Sequence, residues 1–117
     1  MRTTLNYEYY RRRLANQILL RRAIKVKVTK GVYDLAVPCG YKRKGGWVTC
    51  NERSLAEDAL KILAKKKGFP NLRIEKVDRC FLVWWGSEPP NDDGIEDGKF
   101  YGYKMKEIRG YMNGEPQ

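Results

Sequence analysis

Four carboxylates crowd one short stretch of the chain. Asp92, Asp93, Glu96 and Asp97 fall within the Pro/Gly-rich run SEPPNDDGIEDG at 87–98. Carboxylates at that density could hold a divalent cation for phosphoryl chemistry. The run lacks the alternating ligands and the closing glutamate of a calcium loop, so it reads as a solvated acidic loop. The sequence contains no histidine, which removes the commonest general base and many nucleophile-activating pairs. It shows no nucleophile elbow, phosphate-cradling glycine loop, dinucleotide fingerprint or paired-histidine zinc motif. Cys39, Cys50 and Cys80 are widely spaced with no CxxC, which fits reduced thiols better than a disulfide framework or a zinc site. The expectation is a non-catalytic protein with no metal or cofactor. A metal-dependent nuclease is the least favoured reading.

Phosphate binding is the chemistry that the sequence does support. The run RRRLANQILLRR at 11–22 holds Arg11, Arg12, Arg13, Arg21 and Arg22 with no acid among them. Lys25 and Lys27 follow, then Lys42, Arg43 and Lys44 in YKRKGGW, then Lys65, Lys66 and Lys67. Guanidinium forks grip phosphate oxygens in pairs, while lysines act as mobile point charges. Each neutralised phosphate releases a counterion and adds affinity that does not depend on base sequence. The formal charge is +10, and it is lopsided: residues 1–67 hold 17 Lys/Arg against 5 Asp/Glu, whereas residues 68–117 hold 7 against 9. Any single lysine is more simply a solvated charge. A whole half with so few compensating acids points instead to a polyanionic partner.

The aromatic residues admit two roles. Trp47 follows Gly45 and Gly46, where it could stack on a ligand at the tip of a basic finger or lid the core. Trp84 and Trp85 are adjacent in an apolar strand and must face opposite sides. Exposed sheet aromatics stack on unpaired bases in several single-strand-binding folds. Core packing is nevertheless their commoner role.

These residues need elements to hold them. Helical spacing of Tyr7, Tyr10, Leu14 and Ile18 predicts one helix over 5–23, with Arg12 and Arg13 pointing away from its apolar stripe. Alternation over 24–37 around Lys30-Gly31 predicts a β-hairpin with Val26 and Val28 inward. Residues 41–47 read as a basic, glycine-tipped loop and 47–50 as a third strand. A second helix begins at a Ser54/Glu57 capping box, buries Leu55, Ala59, Ile62 and Leu63, carries lysines in its last turn and stops at Gly68. Strands follow at 72–77 and 80–86, and alternation returns at 100–108. The tail at 113–117 reads as frayed.

Residues 1–117 are therefore expected to form a single α+β domain, in the order α-β-β-β-α-β-β, with one antiparallel sheet and two helices packed on one face. The first five elements share their order with double-stranded RNA-binding domains. The second helix, however, starts acidic and the Gly-Pro-x-His loop is missing, so only the order is shared. No run approaches the roughly 20 apolar residues of a membrane span, and LANQILL is too short and polar for a secretion signal. The expectation is a cytoplasmic protein that binds RNA or DNA through helix one, the 41–47 loop and the end of helix two. The alternative is a phage or mobile-element type protein that binds and inhibits a nucleoprotein complex, its acidic loop meeting a basic channel. An exposed aromatic edge strand would permit a dimer.

Overall fold

The structure, a computed structural model, describes residues 6–89 and 99–104. In chain order the elements are α1 (Asn6–Arg13), α2 (Ile18–Arg21), β1 (Ile24–Thr29), β2 (Val32–Ala36), β3 (Gly45–Cys50), α3 (Arg53–Ala64), β4 (Arg73–Val77) and β5 (Cys80–Gly86). This is a small single-domain α+β fold whose elements follow the expected order. Three features of the expected architecture differ: helix one is two helices, the strands form two antiparallel sheets, β1–β2 and β3–β5–β4, and the helices do not share one face.

Helix one breaks because polar side chains near its middle serve the backbone instead of solvent. Gln17 Nε2 donates to the carbonyls of Arg11 and Leu14, at 3.0 and 3.1 Å. Asn16 Oδ1 accepts from the Ile18 N–H at 2.9 Å. Such local bonds compete with helix continuation. The backbone freed at the break pairs with a distant segment: Ala15 N–H donates to Gly102 O and Lys104 N–H to Arg13 O. The single stripe is lost with the single axis. Leu14 is fully buried, but Tyr7 and Ile18 are exposed.

The β1–β2 ribbon is covered on both faces. Val26, Val28 and Ala36 join Ala56, Ala59 and Leu63 of α3 and Val48, Cys50, Val83 and Trp85 of the larger sheet in the main core. Leu35 and Val37 point the other way and pack with Leu14, Leu19 and Leu20 in a second cluster. The α1–α2 pair and α3 therefore lie against opposite faces of the ribbon, not together on one face of one sheet. Burying a leucine fully stabilises by about 1.5–3 kcal/mol, so the second cluster suffices to dock the short helices.

Helix α3 starts two residues earlier than the capping box implied. Glu52 is its N-cap, in extended geometry (φ −138°), with no side-chain cap bond. Ser54 therefore sits within the first turn. A shorter acid can reach those donors, so Glu52→Asp is expected to raise stability by about 0.5–1 kcal/mol, read as a higher melting temperature. An unchanged melting point would show the donors are already satisfied. The buried face is Ala56, Ala59 and Leu63, while Ile62 remains 43% exposed. Gly68 ends the turn beyond it at φ +95°, a left-handed conformation that favours glycine.

The alternation at 100–108 does not make a strand over 100–104. Tyr103 forms an isolated bridge with Leu14. Residues 105–108, the tail and Asp92, Asp93, Glu96 and Asp97 lie outside the described residues. Among the described residues, no helix is long and apolar enough to cross a membrane.

Candidate functional site

The segment 38–44 organises the surface on which most of the basic residues converge. It turns tightly: Gly40 N–H donates to Arg43 O at 3.0 Å and Arg43 N–H returns to Gly40 O at 2.8 Å. Tyr41, in a left-handed conformation at φ 51°, and Lys42 occupy the tip, and both are exposed. The glycines expected at the tip are instead the first residues of β3. A Cβ on Gly46 would stand 2.6 Å from the Arg43 guanidinium and 2.7 Å from the Trp85 ring. Glycine is needed there because those two side chains lie directly on the backbone.

Arg43 is turned inward. It is 3% exposed, with Nε donating to Val37 O at 3.3 Å and Nη1 to Tyr101 O at 2.9 Å. Its guanidinium lies 5.5 Å from the ring centroids of both Tyr10 and Tyr101. The arginine thus ties helix α1, the turn and the 99–104 segment together. Burial pushes the phenols of Tyr10 and Tyr103 above the ordinary tyrosine range, although the nearby Arg43 charge opposes this.

Arg13 is likewise drawn inward. It is 6% exposed, its Nη1 donates to Tyr9 O, and its guanidinium stacks 3.9 Å over the Tyr9 ring. Arg12 and Arg13 therefore part company, since Arg12 is exposed. Arg11 is exposed but bound through Nε and Nη2 to Glu8. That bond holds the Glu8 carboxyl below the usual carboxylate range.

The remaining basic residues are placed by topology. Ile24 pairs with Ala36, so the start of β1 and the end of β2 share one end of the ribbon. Exposed Arg21 and Arg22 precede β1 at that end, and exposed Lys42 and Lys44 follow β2. Cys39 N–H donates to Gly68 O at 2.7 Å, which brings the end of α3, with exposed Lys65, Lys66 and Lys67, to the same place. Among the described residues, none of these seven cations has an acidic partner. The acids at the start of α3 (Glu52, Glu57 and Asp58) lie at the opposite end of that helix. Lys25 and Lys27 are exposed and extend the positive strip along β1. An open cleft of about 400 Å³ lies between the α1–α2 elbow and the turn, lined by Asn16, Leu19, Tyr41, Lys42 and others.

Trp47 lies apart from the turn. It is 42% exposed and pairs across β3–β5 with Trp84, their ring centroids 5.7 Å apart. As strand alternation requires, Trp85 faces the other way. It is fully buried, donating from Nε1 to Val37 O at 2.9 Å.

All three cysteines are free thiols. Burial pushes Cys50 up to about 11 and raises Cys39. Among the described residues, no three Cys, Asp or Glu side chains gather as a metal site would require.

The burial of Arg13 and Arg43 was missed from the sequence. The signal that could have found it is the tyrosine excess beside them: Tyr9, Tyr10, Tyr101 and Tyr103 offer rings that a guanidinium can stack against without losing all its favourable contacts. No curated protein and no solved structure matches the chain. A family described as "Family of unknown function (DUF6302)" matches it over residues 1–117.

Proposed function

The chain belongs to that family, whose description assigns no activity, and we propose from its surface that it binds the phosphate backbone of nucleic acid. The observation that carries this reading is the gathering of Arg21, Arg22, Lys42, Lys44 and Lys65–Lys67 at one end of the ribbon, with no paired acid among the described residues. Mutual repulsion makes such a cluster unfavourable for stability alone, and a polyanion relieves it. Phosphates positioned by these cations need no base-specific contact. Arg12, Lys25 and Lys27 extend the contact along the face beside α1. Arg13 and Arg43 act from within, holding the turn and α1 in place.

Titration of a labelled oligonucleotide at increasing salt tests the reading. With about five phosphates engaged, affinity falls by roughly two to three orders of magnitude over a fourfold rise in salt. Affinity that ignores salt, or no binding at low salt, sinks it.

A further inference from the structure

We propose that the outer face of the β3–β5–β4 sheet is a stacking platform for unpaired bases, so that the nucleic acid bound is single-stranded. This rests on the phosphate-binding reading above and adds the form of nucleic acid it selects.

The inner face of this sheet is filled by α3 and the ribbon through Val48, Cys50, Val83 and Trp85. The outer face is different. Strand register sets Trp47, Trp84 and Arg73 in one row across the three strands, all on that side. Thr49 and Leu82 form the next row with Glu75. Phe100 packs over Gly45 at one corner. Among the described residues, no helix lies on the rest, and Trp47 keeps 42% of its surface in solvent.

Three observations specify the occupant. The first is the chemistry of the row: two indoles and a guanidinium offer flat faces that stack on any base. The second is pre-organisation. Trp84 Nε1 donates to Glu75 Oε1 at 3.0 Å, and Arg73 Nη1 is fixed by Asn71 O and Gly86 O at 2.8 and 3.0 Å. These bonds lower the entropy that a base must overcome on docking. The third is continuity with the cationic end. Gly45 and Gly86 pair two residues beyond the tryptophan row, and the Lys44 carbonyl accepts from Ser87 N–H immediately past them. At about 3.3 Å per strand residue, Lys44 stands roughly 10 Å from Trp47. A strand whose phosphates lie on the basic end can lay its next bases on the indoles. A duplex keeps its bases stacked inside and cannot.

The test compares a single-stranded oligonucleotide, its duplex and heparin on the wild type and on Trp47→Ala, with Trp47→Phe as a second variant. Trp47 is exposed, so folding should survive its loss, and circular dichroism checks this. The wild type is expected to bind the single strand more tightly than the duplex, with quenched tryptophan emission. Trp47→Ala should weaken the single strand by about tenfold and leave heparin, duplex and the salt slope unchanged, while Trp47→Phe keeps most of the affinity. Equal binding of single strand and duplex, with no effect of Trp47→Ala, overturns the stacking proposal while the phosphate reading stands. Failure of all three polyanions to bind overturns both. A dimer in sedimentation that Trp47→Ala dissociates would assign the face to a second copy and overturn the proposal as well.

Discussion

Arg43→Ala is expected to unfold the protein at markedly lower denaturant, with a loss of about 3 kcal/mol or more. Arg43 is 3% exposed and its two carbonyl bonds span residues far apart in the chain, Val37 and Tyr101. Hydrogen bonds from a charged donor contribute about 1.5–3 kcal/mol each, and truncation also leaves a cavity among Tyr10, Tyr101 and Trp85. A domain of this size has a net stability of only about 5–15 kcal/mol, so the loss is a large share of the total. Arg43→Lys should recover little, because an ammonium cannot present the planar fork that reaches both carbonyls or stack between two rings. The neighbouring Lys42→Ala should do the reverse. Lys42 is exposed at the tip of the turn, so stability should move by less than about 0.5 kcal/mol while polyanion affinity falls. Urea unfolding followed by tryptophan fluorescence, alongside oligonucleotide titration of both variants, separates the roles. A stable Arg43→Ala protein that had lost only its binding would place Arg43 at the interface instead.

The second large effect is expected from reversing charge at the basic end. Arg22→Glu, Lys42→Glu and Lys66→Glu together should weaken nucleic-acid binding by about two to three orders of magnitude at low salt. All three side chains are exposed, so the fold should hold. The control is Lys30→Glu, Lys76→Glu and Arg79→Glu, which makes the same change in net charge. Lys30 lies in the β1–β2 turn, Lys76 in β4 and Arg79 in the β4–β5 turn, away from the ribbon end that holds the cluster. Under the proposal the control costs less than about tenfold, from the weakened long-range field alone. Equal losses in both triple variants would mean that net charge, not a located surface, governs binding.

Particular residues show how far the sequence could be read. The ribbon was legible because Lys25, Val26, Lys27 and Val28 alternate around a Lys30-Gly31 turn, and both the pleat and the turn act within a few residues. Helix α3 was legible for the same reason, its apolar positions recurring at helical spacing ahead of Gly68. The expected cap at Ser54 failed because a capping pattern names a local option, and the chain entered the helix at Arg53 instead. The break between α1 and α2 was hidden because Leu14 fits a helical stripe as well as it fits the second cluster. The local bonds of Asn16 and Gln17 end the helix at a point where a distant pairing, Leu14 with Tyr103, takes up the freed backbone.

The basic residues divide along the same line. Their number and their concentration in residues 1–67 are properties of the sequence alone, as are the lack of histidine and the opposed facing of Trp84 and Trp85, since composition and strand alternation require no tertiary partner. Which guanidiniums reach solvent is decided only by the tertiary structure. Arg12 and Arg13 are neighbours with the same propensities, yet Arg13 stacks on Tyr9 while Arg12 remains outside. Arg43 sits between Lys42 and Lys44, yet it alone of the three is buried. Burial of a charge depends on acceptors and rings supplied by other segments. Likewise, the shared end of Arg22, Lys42 and Lys66 arises where the hairpin's Ile24–Ala36 register meets the Cys39–Gly68 bond; the hairpin is local, but the bond that brings the end of α3 to it is a long-range contact that no local pattern in the sequence encodes.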